Sequence, residues 1–258
     1  MDNNTLLTEV NSDNLTTATN PNSMPMVALR GKVILPSVTT TFDVGREKSL
    51  RALDAALAHE DDALLFVAAQ VDAAVENPSI ADVYEVGVVC RIKRCSRMPG
   101  DNLRVNVDAL YAARISQVYS VDEYFSVAVD EVFPDYGEAT ETEAYCRFVK
   151  DETRNYFLSI GSKNVKEPFP AILANEDANA FCNAADYYFN FKEADKQRVL
   201  ECYAVKDKLR IFYELLVKEI EIKKIQKTIG DKVKTSIEKN QREYYLREQL
   251  KAIHEELG

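Results

Sequence analysis

The sequence predicts an α+β chain in which a β-rich front gives way to helices and then to one long C-terminal helix. Three observations predict it. Short apolar runs separated by turn residues fill the front, and helical spacing of apolar and aromatic residues begins after Pro134. From Lys206 onward there is no proline and only one internal glycine, Gly230. With 258 residues, 46% of them hydrophobic, the chain is long enough to bury one large core or two small ones. Two compact units are expected. The predicted limits are a disordered tail over residues 1–23, a β domain over 24–135, a helical subdomain over 136–205 and a helical arm over 206–258.

Met1 to Ser23 is rich in Asn, Thr and Ser, so ordering it would cost backbone entropy with little burial to offset the cost. From Met24 the apolar runs Met26 to Leu29, Val33 to Leu35, Thr39 to Val44 and Leu64 to Ala68 read as strands. Leu50, Leu53 and Leu57 mark a helix between them, with Asp43 and Glu47 near its positive end. Further on, Val86, Val88, Cys90 and Ile92 share one sheet face, and the opposite face is expected to be wetter. A turn at Pro99 to Asn102 then leads into Leu103, Val105, Val107 and Ala109, which predicts an antiparallel hairpin. Two more β runs follow, Arg114 to Val121 and Tyr124 to Phe133.

Helical spacing sets in with Tyr145, Phe148, Val149, Tyr156 and Phe157, and again from Phe181 to Phe191. The final stripe runs through Leu209, Phe212, Leu216, Ile220, Ile225, Ile229, Val233, Ile237, Tyr244, Leu250 and Leu257. A helix of about 50 residues reaches roughly 75 Å. Its spacings are wider than a strict two-stranded heptad allows.

The formal net charge of -10 divides into -13 over Met1 to Val205 and +3 over Lys206 to Gly258. That balance repels a polyanion and disfavours nucleic acid as a partner. Cys90, Cys95, Cys146, Cys182 and Cys202 are odd in number and scattered, which points to buried thiols in a reducing compartment. Cys90 and Cys95, five apart, are expected on opposite faces of a strand, which opposes joint metal binding. No signal peptide or membrane-spanning run is legible, so a cytoplasmic protein is expected.

Catalytic signatures fail one by one. Gly230-Asp231-Lys232-Val233-Lys234-Thr235 lacks the second glycine of a phosphate-cradling loop and falls in a helix. His59 and His254 have no ligand-spaced neighbours, and no G-x-S-x-G elbow is present. No catalytic, cofactor or metal residue is assigned. What remains is surface. Arg46, Glu47, Lys48 and Ser49 open the first helix; plainly read they are a solvated, dipole-matched helix start, and functionally read they are a contact site for a protein partner. Tyr244 and Tyr245 beside Arg242 and Arg247 are either packing residues of the stripe or anchors for a polypeptide.

Local strings then add a resemblance. Leu29-Arg30-Gly31, Leu35-Pro36 and Asp43 to Leu53 resemble the opening of the Lon protease N-terminal domain, and Tyr84 to Val89 and Val105 to Leu110 resemble its middle strands. Ile237 to Ile253 is similar, almost letter for letter, to the helix that precedes the family's ATPase module. There are departures. Ala109 and Ala112 stand where the family usually has glycine and arginine, with Arg114 retained, and Ser37 follows Pro36 where Gly, His or Asn is common. Glu138 to Tyr203 is weakly matched.

The resemblance implies a small PUA-like β-barrel followed by a helical bundle. It also implies a parent ATP-dependent serine protease of the AAA+ type, a homohexamer with a Ser-Lys dyad, whose ATP, Mg and catalytic residues belong to modules beyond Gly258. This region would recognise unfolded or tagged proteins and help subunits associate. The alternative is a stand-alone Lon-like interaction protein with no protease domain. A PUA-like RNA binder follows from fold analogy alone and is opposed by the acidity of the front.

Overall fold

The computed structural model describes residues 23–58, 63–100, 102–159, 169–189 and 191–258. The tail expected over Met1 to Ser23, apart from Ser23, lies outside them, as does His59.

The front is built on β1 (Met24–Leu29), β2 (Thr39–Val44), β3 (Leu64–Ala69), β4 (Val86–Arg97), β5 (Leu103–Ser120) and β6 (Phe125–Glu131), with α1 (Glu47–Leu57) between β2 and β3. The sheet runs β2-β5-β4-β3-β1-β6, and β6 also pairs with β5. Five strands therefore close a ring, and β2 hangs on β5 outside it. Among these six strands β1 and β3 run parallel, and the other pairings are antiparallel.

The ring explains why both sheet faces are buried. Met26, Ala28, Phe66, Val89, Ala113, Phe125 and Val127 form a cluster on one side. Val27, Leu29, Leu65, Val67, Val88 and Val107 face the other, where α1 and the helices cover them. The expectation of a wetter second face on β4 therefore fails for Gly87 and Val89, and holds from Arg91 outward, where the strand leaves the ring. Gly87 marks a close approach to the backbone of β3. A Cβ there would stand 2.4 Å from the Val67 carbonyl oxygen and 2.7 Å from Phe66 Cζ, so no other residue fits without movement.

Three strand expectations change. Val33 to Leu35 is not a strand but a buried loop, with Gly31 and Ser37 at φ of 60° and 66° on either side of it. Such residues break the extended run, so the segment buries side chains without ladder bonds. Ser37, the family departure, is a non-glycine residue in the left-handed region, and its N–H donates to the Ala109 carbonyl at 2.8 Å. Arg114 to Val121 is not a separate strand either: no breaker interrupts Tyr111-Ala112-Ala113, and β5 continues through them to Ser120. A register irregularity between Ile92 and Arg94 resets the alternation on β4. Cys90 and Cys95 consequently pack against the same cluster, contrary to the opposite-face expectation. Among the described residues no group of His, Cys, Asp and Glu is placed to hold a metal.

On α1 the buried residues are Ala52, Leu53 and Ala56, and Leu57 is exposed, so the small residues set the face that meets β1. Asp43 is not at the helix start. It lies on β2 and faces Arg104 of β5.

The helical part contains α2 (Ala139–Ser159), α3 (Phe169–Ala174), α4 (Ala178–Tyr188), α5 (Glu193–Glu201) and α6 (Val205–Leu257). Val149 and Tyr156 are buried, whereas Tyr145 and Phe148 are exposed, Phe148 meeting Tyr213 edge-on at 5.0 Å. Phe181, Phe189, Phe191 and Phe212 form a ring cluster between α4 and α6. This part joins the β ring through one continuous apolar cluster, through Gln197 Nε2 donating to the Val86 carbonyl at 2.9 Å, and through Arg114, which bonds both Glu85 and the Tyr203 hydroxyl. From Glu221 to Gly258 every residue is exposed. No helix among the described residues is long and apolar enough to cross a membrane.

Candidate functional site

Where the ring is incomplete it leaves a cleft. β1 pairs with β6 only over Met24 to Met26, so Val27 to Leu29 have no neighbour on that side. β2 pairs only with β5. Between the two unpaired edges opens a cleft of about 500 Å³, walled by β1 and Arg30 on one side and by Thr41 to Arg46 on the other.

Ladder geometry fixes which backbone groups face it. Ala109 N–H donates to the Val38 carbonyl at 2.9 Å, and in that register the inward bonds of β2 belong to Thr40, Phe42 and Val44. The N–H and C=O groups of Thr39, Thr41 and Asp43 point away from β5. On β1, the Leu29 carbonyl accepts from Gln70 N–H on the β3 side, so the groups of Ala28 point toward the cleft.

The polar rim is cationic. Arg30 Nε donates to the Ala73 carbonyl. Lys32 Nζ donates to Thr40 Oγ1 at 3.2 Å and to the Thr41 carbonyl, and Arg46 Nη2 donates to Gln70 Oε1 at 2.6 Å. Gln70 is itself buried and donates to the Val75 carbonyl at 2.9 Å, which holds Arg46 in place. All three cations thus rest on neutral acceptors, and among the described residues none has an ion pair. Burial lowers the pKa of Lys32, although Tyr187 and Asp43 pull it upward. Burial also lowers that of Arg46, and the nearby Arg30 charge lowers it further. Arg104 is different. It forks onto Asp43 at 2.7 and 2.9 Å, which holds the Asp43 carboxyl below its ordinary range and cancels both charges. Among the described residues the rim is therefore net positive, its lining carboxylate, Asp43, being bound by Arg104.

Of the contact residues singled out in the sequence, Arg46 and Ser49 line this cleft. Glu47 bonds Arg51 at 2.6 Å, one helical turn on. Lys48 turns toward the other end of the ring, donating to the Val121 carbonyl at 2.7 Å and lying 5.3 Å over the Phe125 ring. Arg242, Tyr244, Tyr245 and Arg247 are exposed on the outer part of α6, away from the cleft; Tyr244 and Tyr245 are 68% and 62% exposed, and the Tyr245 hydroxyl accepts from Gln249 at 3.0 Å. Arg30, Lys32 and Arg104 were missed. Arg30 stands inside a string already noticed, but nothing in the spacing brings it to Arg46.

The cysteines are poor nucleophiles. Burial pushes Cys90 up to about 12 and raises Cys182 further, and all five thiols are free.

Known proteins resemble this chain in sequence and in fold. The family described as the ATP-dependent protease La (LON) substrate-binding domain matches residues 23–218. Lon protease of Clostridioides difficile is 37% identical over 240 residues, covering 91% of this chain and 30% of that protein. Lon protease 1 of Bacillus subtilis is 35% identical over 236 residues, covering 92% and 30%. The chain therefore spans about 30% of the length of these relatives. In fold it resembles the N-terminal domain of Mycobacterium avium complex Lon protease, with a TM-score of 0.63 at 20% identity over 76% of this chain and 98% of that one. A ring of strands joined to helices, matched over most of its length by this profile, belongs to the Lon substrate-binding domain family.

Proposed function

We propose that this chain is the polypeptide-capturing region of an ATP-dependent serine protease, binding unfolded or tagged proteins in the cleft between β1 and β2. The observation that carries the reading is the family match over residues 23–218, which contains every residue of the cleft. The lining supports it. Unspent backbone groups suit an extended chain of any sequence, and a mixed apolar and cationic wall suits exposed protein segments better than a small metabolite.

In this reading ATP, Mg and the catalytic residues belong to the remainder of the parent protein, and the exposed apolar stripe of α6 serves association between subunits of a cytoplasmic homohexamer. Neither a membrane nor nucleic acid is a partner. The reading is tested by equilibrium binding of a denatured, fluorescently labelled protein. Wild type should bind it, and Arg46→Glu should weaken binding by at least about tenfold, the loss expected when a half-buried contact charge is reversed. Equal binding by the two proteins would remove the cleft from the account.

A further inference from the structure

The outward groups of Ala28, Thr41 and Asp43 are the edges of two strands that the ring leaves apart. An exposed strand edge is a template for another strand, and proteins normally blunt it with charge, a bulge or a cover. Here the blunting is slight: Lys32 Nζ occupies the Thr41 carbonyl, and Thr41 and Asp43 side chains remain exposed. At about 3.3 Å per residue, the stretch from Thr41 to Val44 presents room for roughly four residues of extended chain.

Charge narrows the guest. The stretch Met1 to Val205 carries a formal charge of -13, yet Arg30, Lys32 and Arg46 converge on this cleft, and among the described residues none of the three has an ion pair. Like charges held together in a partly buried site are repaid by an anion, and a carboxylate is the anion a polypeptide brings. An acidic side chain is repelled by the rest of the front and attracted here.

We propose that the substrate polypeptide enters as an added β-strand in the seam between β1 and β2, selected for an aspartate or glutamate that meets Arg46 and Lys32. This rests on the cleft being the polypeptide site. Backbone bonds to Thr41, Asp43 and Ala28 give affinity without sequence demand, and the cationic rim sets register. Lys32 gives up the Thr41 carbonyl to the incoming N–H and turns to the carboxylate.

The test uses the whole chain and a short fluorescein-labelled peptide alternating valine and glutamate, read by anisotropy. Three comparison peptides replace glutamate by lysine, N-methylate alternate amides, or reproduce residues 1–22 of this chain. Expected are binding of the acidic peptide, a loss of at least about tenfold on lysine replacement and on N-methylation, and a similar loss for Arg46→Glu, with Arg46→Lys in between. Thr41→Pro removes one outward N–H that the ladder does not use and should weaken the peptide without lowering the melting temperature by more than a few degrees.

Full-strength binding of the N-methylated peptide overturns strand addition. If Arg46→Glu still weakens denatured protein in that case, the cleft stands as the site and only the strand geometry falls. Unchanged peptide affinity in Arg46→Glu overturns the acidic guest. Tighter binding by the 1–22 peptide makes that segment of the chain the occupant and overturns the proposal.

Discussion

The first three turns of α6 and the rest of it carry the same kind of stripe and meet opposite fates. Leu209, Phe212, Leu215 and Leu216 are buried against α2, α4 and α5, whereas Ile225, Ile229, Val233 and Ile237 are each at least half exposed. Spacing alone does not distinguish them. What differs is the wall opposite: α4 and the residue that ends it offer Phe181 and Phe189 to the first part, and past Ile220 the bundle has ended. A periodic stripe therefore states that a helix needs a partner without stating where the partner is. The exposed part advances from Ile222 through Ile225 and Ile229 to Val233 in steps of 3, 4 and 4, closer to the period of a straight helix than to a heptad.

That contrast is broken or sharpened by substitution. Phe212→Ala removes a ring held by Phe181, Phe189 and Phe191, and should cost about 3–5 kcal/mol in chemical denaturation. Ile229→Ala, on the same helix, should leave the midpoint within about 0.5 kcal/mol. A large effect at Ile229 would mean that the arm is covered in solution.

Asp186 gives the next largest effect, and it depends on pH. The carboxyl is fully buried on α4, neither oxygen accepts a hydrogen bond, and Lys196 Nζ stands 3.8 Å away. Burial raises its pKa to about 7, against the pull of Lys196 and Lys208 and with a further push from Asp195. A carboxyl whose pKa is higher folded than unfolded holds its proton longer in the native state. Its contribution is therefore favourable at low pH and is lost as pH rises from about 4 to 7. Asp186→Asn should stabilise the protein at pH 8 by on the order of 2 kcal/mol and flatten that part of the profile, measured by urea denaturation across pH. A steeper profile in the variant would contradict the assignment.

Gly87→Ala forces a methyl group against the Val67 carbonyl and the Phe66 ring, and should cost about 1–3 kcal/mol by the same assay. The smallest effect is a gain. Ser37→Gly relieves a left-handed serine and should add about 0.5–1 kcal/mol, while Ser37→Val should lose at least as much.

Much of the front was legible. The alternation of Val86 to Ile92 and of Leu103 to Ala109 gave the hairpin, the run Thr39 to Val44 gave β2, and the break at Pro134 gave the change to helices. Val33 to Leu35 was misread because burial and strand pairing leave the same apolar signature. The Cys90 and Cys95 faces were misread because a register irregularity is invisible to a period of two. The cleft was legible only through Arg46 and Ser49. Its other cations come from the β1–β2 loop and from β5, and no local pattern says which strand edges a ring will leave unpaired.

The most direct test of that cleft sets it against the arm. A benzophenone amino acid replaces either Ser49, which lines the cleft, or Tyr245, on the exposed stripe, and each protein is irradiated with denatured labelled protein. Crosslinking from position 49, suppressed by excess acidic peptide, is the predicted result. Crosslinking from position 245 alone would contradict it.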